Sequence, residues 1–467
     1  MKKIAIIYGA LRSGVYKKAV EMLSQFLLDY TYEYPVCLAY DPEADYSMYR
    51  CIYIGTREDN AYIAKVAESQ EQLQPQGYRI KVASGTVTIE GADDAGLLYG
   101  CIDFYNKYIM KFEFPHDDAY YRINFFEKDL PDFEYSSAPA VKNRGIWTWG
   151  HVIYDYRGFI DNMVKLKMNT LIMWNDFVPI NGKEIVDYAH TCGVKIIWGF
   201  PWCWDTNCAQ FDLETVFEFS GEIFEKYERE YAALGGDGIY FQSFTELNQE
   251  RIGGILIAEA VTEFVNRTSA LFYEKYPDIE LQFGLHADSV KNRLEFIQKV
   301  DPRMRIVWEN CGAFPFSYIP ADVKNFDQTV DFVDKIAVLR GEDDHFGVVT
   351  KGFTKLLWPE FEHLTGPANI GTASEYMKRD RIIRKSRVWK YLQAYWLTNA
   401  DKAYEMVQTM AARKGGDLDI TALVEDGMFE ENIMYPVALY SEMLWDCRAD
   451  IKTMMSEVAL RNYVTFA

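Results

Sequence analysis

Thr170-Leu-Ile-Met-Trp-Asn-Asp176 and, further on, Lys195-Ile-Ile-Trp-Gly-Phe-Pro-Trp-Cys-Trp-Asp205 decide the fold. Each begins as a short apolar run and ends abruptly in aromatic and polar residues, with a helical pattern centred near Val186 between them. Such a run, bounded by turn residues, reads as a buried strand. Strands that alternate with helices signal parallel βα units. The rhythm extends in both directions. Gly145–Thr148 precedes it, and Gly238–Phe241, Glu280–Leu285, Arg305–Trp308 and Phe346–Thr350 follow, with further helices centred near Met163, Phe224, Ala260, Phe296 and Val333. The pattern predicts an α/β fold, a (β/α)8 TIM barrel over residues 143–373, with the eighth strand expected near Asn369–Thr372. A doubly wound sheet has the same alternation. The polar and aromatic residues that follow strand after strand favour a ring of loops around one mouth.

Upstream, residues 1–128 read as a small α+β domain. Its expected strands are Ile4–Tyr8, Cys51–Gly55, Tyr78–Val82, Val87–Glu90 and a segment near Tyr121–Phe126, and its helices Val15–Leu28, Ala61–Ala67 and Ala95–Ile109. Residues 129–142 carry two prolines and little periodicity, which predicts a linker. Downstream, residues 374–467 read as a C-terminal helical region packed on the barrel. Its basic run Lys378–Lys390 is expected to be a solvated helix face.

A chain of 467 residues with 49% hydrophobic and 25% charged side chains is a soluble globular protein of two or three domains. Its 49 basic against 69 acidic residues leave a formal charge of −20, which argues against nucleic acid and anionic lipid as partners. No stretch approaches the roughly 18 apolar residues of a membrane helix. The first apolar run is short and ends at Arg12, so it reads as a strand rather than a signal peptide, and a cytoplasmic location is expected. Eight scattered cysteines fit neither a disulfide framework nor a zinc ribbon, and free thiols are expected. The oligomeric state is not legible.

All 11 tryptophans lie from Trp147 onward, and eight of them fall in or beside the carboxyl ends of the expected strands. Indole rings offer flat faces on which sugars stack, together with one hydrogen-bond donor. Trp147, Trp174, Trp202, Trp204, Trp308 and Trp358, with Asn175 and His286, are therefore the candidate substrate-binding residues. Carboxylates among aromatics suit glycoside hydrolysis, which needs a protonated acid and a second carboxylate as base or nucleophile. Apolar walls keep the acid protonated by disfavouring its charged form. Glu246, after Ile239-Tyr-Phe-Gln-Ser-Phe-Thr, is the candidate acid. Glu309 is the candidate base or nucleophile, with Asp288 a close rival and Asp176 and Asp205 behind it.

A family resemblance rests on three segments: Ile52-Tyr-Ile-Gly-Thr-Arg-Glu-Asp-Asn60, Gln76-Gly-Tyr-Arg-Ile80 and Val87-Thr-Ile-Glu-Gly-Ala-Asp-Asp-Ala-Gly-Leu-Leu-Tyr-Gly100. These resemble the small domain that precedes the barrel in chitobiase-type β-N-acetylhexosaminidases and in α-glucuronidases. Arg144-Gly145, followed by Leu166-Lys-Met-Asn-Thr-Leu171, is similar to the hexosaminidase pattern. The resemblance implies that Arg144 binds hydroxyls of the non-reducing sugar. Hexosaminidases place Asp-Glu after the fourth strand, where this chain has Thr245-Glu246. Ser243-Phe-Thr-Glu246 is closer to the Ser-Glu of α-glucuronidases, whose Glu is the general acid. A glucuronide also needs a cation for its carboxylate, for which Arg144, Arg157 and Lys351 are candidates.

The function expected is an exo-acting glycoside hydrolase acting on a terminal hexosaminide or glucuronide, with no cofactor and no metal. Two rivals remain. One is a sugar isomerase or epimerase holding a metal on Glu246, His286, Asp288 and Glu309, and the other is a barrel that binds glycan without cutting it.

Overall fold

The computed structural model describes residues 2–109, 131–150, 153–203, 213–247, 249–252, 254–286, 289–309, 326–353, 361–414 and 417–467. It divides into two compact units, residues 1–139 with 190–193, and residues 140–189 with 194–467.

The first unit is built on a six-stranded mixed sheet. β1 (Lys3–Tyr8), β2 (Val36–Ala39), β3 (Tyr49–Gly55), β4 (Tyr78–Ala83), β5 (Thr86–Gly91) and β6 (Phe133–Ser137) lie in the order β2-β1-β3-β5-β4-β6. The pairs among β2, β1, β3 and β5 are parallel, and β4 is antiparallel to both β5 and β6. Helices Gly14–Thr31, Ala61–Val66 and Asp94–Asp103 start at Ser13, Asn60 and Asp93, whose side chains accept from Tyr16, Tyr62 and Gly96 backbone N–H groups. The motif Gly91-Ala-Asp-Asp-Ala-Gly96 is thus a strand end and a helix cap in one. A Cβ on Gly96 would lie 2.1 Å from the Gly77 carbonyl oxygen, so only glycine fits there.

The expected linker is corrected in part. Phe133–Ser137 is the edge strand β6, with Tyr135 opposite Ile80 and its ring 6.2 Å from that of Tyr78. Pro131 and Pro139 flank this strand rather than interrupt it, which an edge strand tolerates. The expected strand near Tyr121–Phe126 lies outside the described residues.

In the second unit the predicted barrel is present and closed. Its strands are β7 (Asn143–Trp149), β8 (Thr170–Trp174), β9 (Lys195–Gly199) and β10 (Gly238–Gln242). After a short hairpin, β11 (Arg251–Ile252) and β12 (Ile255–Leu256), come β13 (Glu280–Leu285), β14 (Arg305–Glu309), β15 (Phe346–Phe353) and β16 (Leu418–Val424). The ring runs β7-β8-β9-β10-β13-β14-β15-β16 and back to β7, all parallel.

The closing strand corrects the expectation. β16 pairs Asp419–Leu423 with Asn143–Trp147, so the barrel extends to residue 424 rather than ending at 373. The segment Asn369–Thr372 contributes only an isolated bridge from Thr372 to Asp155. A helix spanning Glu375–Lys414 stands between β15 and β16, with one non-helical residue at Asn399.

The amino end of the barrel interior is filled by paired charges. Arg305 Nε lies 3.0 Å from Asp419 Oδ2 and 3.7 Å from Glu280 Oε1, and Lys195 Nζ lies 3.3 Å from Glu280 Oε2. Asn143 Nδ2 donates to Asp419 at 2.5 Å. Buried charge persists only when paired in this way. The barrel is therefore floored by side chains and is not a pore.

Arg144 also sits at this end, on the outer face of β7. Its guanidinium donates to the carbonyls of Val141 at 2.6 Å, Lys142 at 2.8 Å and Lys167 at 3.0 and 2.8 Å, and lies 5.2 Å from the Trp445 ring. The sugar-binding role implied for Arg144 is thus corrected. The residue ties the start of the first barrel strand to the loop before the second, far from the carboxyl ends where barrel sites open.

The basic run Lys378–Lys390 is likewise more than a solvated face. Arg381 and Lys385, one turn apart, are buried. Arg381 pairs with Glu430 at 3.0 Å and Glu362 at 3.2 Å, and Lys385 with Glu425 at 3.0 Å and Asp426 at 3.3 Å. Acids outnumber bases in this cluster. Burial pushes the Glu430 carboxyl from 4.5 up to about 7 against the pull of Arg381, and Asp426 from 3.8 up to about 6 against Lys385.

Two outcomes follow from this packing. Arg144→Ala should lower folding stability by about 2–4 kcal/mol in urea titration, because it strands buried carbonyls. It should do so without a specific rise in KM, and a stable variant with weakened substrate binding would contradict the assignment. The second concerns pH. Glu430 and Asp426 hold their protons more tightly folded than unfolded, so their contribution is full at acid pH and is lost as pH rises through their folded values. The melting temperature should therefore fall between about pH 4 and about pH 7, and Glu430→Gln should lessen that fall. Parallel curves for the two proteins would contradict this.

Candidate functional site

Strand alternation decides which residues reach the barrel axis. On β10, Tyr240 and Gln242 point inward and Phe241 outward. On β14, Glu309 points inward and Trp308 outward. The inward residues meet. Tyr240 Oη donates to Glu309 Oε1 at 2.5 Å, and Gln242 Nε2 donates to the same oxygen. His286, the residue after β13, places Nε2 3.0 Å from Glu309 Oε2. Gly284 on β13 leaves the necessary space, since a Cβ there would lie 2.4 Å from Tyr240 Oη and 2.7 Å from Glu309 Oε1. Glu309 is consequently a carboxylate with no exposed side-chain surface and with donors on both oxygens.

Glu246 has a different setting. It stands on the loop after β10 with 38% of its side chain exposed, and its Oε1 lies 3.9 Å from His286 Nδ1. The loop is pinned from the segment that follows β13: Ser289 Oγ donates to the carbonyls of Thr245 at 2.7 Å and Leu247 at 2.6 Å, one on either side of Glu246. Thr245 itself is buried. A solvent-facing carboxyl is thereby held on a rigid support at the carboxyl end of the fourth barrel strand.

Beneath this group lies an aromatic floor. Trp149 stacks on Trp174 at 5.0 Å, Trp147 lies 5.5 Å from Trp149 and 6.3 Å from Trp174, and Tyr240 meets Trp147 and Trp174 edge-on at 5.8 and 6.3 Å. These rings are buried, so Trp147 and Trp174 pack the barrel under the mouth.

Two expected sugar platforms are corrected. Trp202 is fully buried, with its ring stacked 3.6 Å from Phe241 and 5.4 Å from Phe272 on the outer side of β10. Trp308 faces outward to Phe332 of helix Phe326–Ala337 at 5.1 Å. Asn175 is buried at the end of β8, while its neighbour Asp176 is exposed. Asp176 lies 3.0 Å from His363 Nδ1 and accepts from Leu364 N at 3.1 Å, tying the loop after β8 to the segment after β15. Lys351 lies on β15. Asp288, Trp204, Asp205, Trp358 and the side chain of Lys351 lie outside the described residues.

Of the expected residues, the structure brings together Glu246, His286 and Glu309, with Trp147 and Trp174 below. Tyr240 and Gln242 were not expected. The signal for them is the alternation in Ile239-Tyr-Phe-Gln242, which puts both on the face of the strand that points to the barrel axis. Among the described residues, no three His, Cys, Asp or Glu side chains converge as a metal site. Also among them, no helix is long and apolar enough to cross a membrane, and Cys37, Cys51, Cys101, Cys192, Cys203 and Cys447 are free thiols.

Comparison with known proteins agrees with this architecture. Residues 31–104 match the family model described as glycosyl hydrolase family 67 N-terminus, a span that takes in all three segments on which the small-domain resemblance rests. No curated protein sequence matches the chain significantly.

Similar solved structures share the fold at low identity. One is a GH138 enzyme targeting pectin rhamnogalacturonan II, with TM-score 0.56 and 11% identity over 96% of this chain and 64% of that one. A second is CpGH84B, with TM-score 0.54 and 12% identity over 98% of this chain and 70% of that one. A third is BtGH115A, a family GH115 4-O-methyl-α-glucuronidase with specificity for decorated arabinogalactans, with TM-score 0.52 and 14% identity over 95% of this chain and 56% of that one. The chain thus spans less than two thirds of the first and third of these proteins. It combines a glycosyl-hydrolase-type N-terminal domain with a (β/α)8 barrel.

Proposed function

We propose that the chain is a glycoside hydrolase that removes a terminal sugar, of hexosaminide or glucuronide type, at the carboxyl end of the barrel. The observation that carries the reading is the pairing of an accessible, rigidly held carboxyl, Glu246, with a buried carboxylate, Glu309, across one imidazole ring. Glycoside hydrolysis asks for two carboxyl groups in unlike environments, one to protonate the leaving oxygen and one to remain charged. The similar structures described as a GH138 enzyme and a glucuronidase, and the family 67 N-terminal match, support a carbohydrate substrate.

Glu246 is the proton donor in this reading, because it alone of the pair meets solvent and can approach a glycosidic oxygen. Glu309 supplies the buried charge of the pair, and because both its oxygens already meet protein donors, Asp288 is the candidate for base or nucleophile. The aromatic floor serves to hold this machinery in place and to keep water from beneath it.

The test is hydrolysis of a panel holding N-acetylglucosaminides, N-acetylgalactosaminides, both glucuronide anomers and 4-O-methyl-α-glucuronides, as aryl glycosides and as natural disaccharides. Glu246→Gln should lower kcat on the disaccharide by about 10²–10⁴-fold, with a smaller loss on aryl glycosides whose leaving groups need little protonation. Equal rates for the variant and the parent on the disaccharide would exclude Glu246 as the acid.

A further inference from the structure

Glu309 poses a problem that the two-carboxylate scheme does not solve. A base or nucleophile must present an oxygen to water or to the anomeric carbon. Here both oxygens are engaged, by Tyr240, Gln242 and His286, and the side chain has no exposed surface. What Glu309 does present is its charge, and it presents it to an imidazole.

The proton arrangement of that ring follows from its neighbours. A neutral imidazole carries one N–H and one lone pair. Nε2 lies 3.0 Å from a buried carboxylate oxygen, an acceptor, so Nε2 carries the proton. Nδ1 is then the lone pair in the neutral ring, and it faces Glu246 Oε1 at 3.9 Å. That separation is too long for a direct hydrogen bond and short enough for a bridging water or a small rotation of the exposed Glu246 side chain. A lone pair there is complementary to a protonated Glu246, and an Nδ1–H is complementary to an ionised one. The titratable side chains that meet this ring include Glu309 and Glu246, and Tyr240 meets Glu309.

We propose that Glu309 is a positioning residue for His286, and that His286 and Glu246 share a single proton held near the glycosidic oxygen. The proton resides on the Glu246 carboxyl or on His286 Nδ1. When it passes from Glu246 to the leaving oxygen, Glu246 is left as carboxylate and His286 as neutral imidazole, with Nε2–H still on Glu309. The Glu309 charge stabilises the protonated ring, which keeps the shared proton beside Glu246 and within reach of the glycosidic oxygen. The assignment leaves the base or nucleophile role to an acid other than Glu309. It rests on the proposed role of Glu246 for its catalytic meaning, though not for the ring's protonation.

The ring is observed directly. The full chain, labelled with 15N-histidine, is titrated by ring-nitrogen NMR as the parent protein and as Glu309→Gln and Glu246→Gln, with His286→Gln assigning the resonance. The expected neutral form is the Nε2–H tautomer. Glu309→Gln should lower the His286 midpoint by about 1–3 pH units, and Glu246→Gln should collapse a two-step curve to one step. An Nδ1–H tautomer, or an His286 midpoint unmoved in Glu309→Gln, overturns the proposal. Should Glu309→Gln not fold, the parent tautomer and the Glu246→Gln curve decide alone.

On any glycoside that the parent cleaves, His286→Gln should lower kcat with little change in KM and move the alkaline limb of the pH profile toward acid. An unmoved limb also overturns the proposal. If the parent cleaves no glycoside, the glycosidase reading fails, and the ring-nitrogen titration still decides the Glu309–His286–Glu246 arrangement.

Discussion

An eight-stranded barrel exists only if its last strand hydrogen-bonds to its first, and here that pair joins Leu418–Val424 to Asn143–Trp149 across most of the length of the unit. Closure removes both sheet edges and fixes the register of every strand between them. Once register is fixed, side-chain alternation leaves no choice about which residues enter the axis. Tyr240, Gln242, Glu309 and the floor tryptophans meet for that reason. Arg144, at the start of the first strand, takes no part in the site for the same reason. Its guanidinium secures the amino end of the pair on which closure depends.

The helices and strands of the barrel were legible because their periods are strong. The segments around Thr170–Trp174, Lys195–Gly199 and Glu280–Leu285 are strands over the residues that their apolar runs mark. The closing strand was not legible in its place. Leu418-Asp-Ile-Thr-Ala-Leu-Val424 carries two polar residues, Asp419 and Thr421, which face the axis, and it follows a helix spanning Glu375–Lys414 that reads as the end of a domain. Local pattern carries no information about a partner some 270 residues away, as the Asn143–Asp419 hydrogen bond is. Edge strand β6 was hidden by its flanking prolines, which signal a loop locally and are harmless at a sheet edge.

The candidate site shows the same division. Glu246 and Glu309 were legible as carboxylates at strand ends, and their difference in burial was not. A tryptophan at a strand end signals aromatic surface, but its side depends on parity. Trp147 and Trp174 face the axis, whereas Trp202 and Trp308 face the outer helices. The tryptophans of the described barrel serve packing more than display, and they supply the low-dielectric bed in which the Glu309 charge acts strongly on His286. Charge is handled similarly elsewhere in the unit. Arg305 neutralises the acids inside the barrel floor, and Arg381 with Lys385 anchors the long helix to the residues that follow β16. In each place a base reaches several carboxylates, and burial rather than distance from the base decides which of them holds its proton most tightly: Asp419, Glu430 and Asp426.

The central claim is that sugar is cleaved above His286 by the carboxyl of Glu246. A crystal structure of Glu246→Gln with an intact disaccharide substrate tests it most directly. The account predicts the glycosidic oxygen within about 2.6–3.2 Å of the residue 246 side chain, at the carboxyl end of β10, with Glu309 still enclosed beneath His286. A sugar bound elsewhere, or a glycosidic oxygen facing Glu309 or another carboxylate instead, would contradict it.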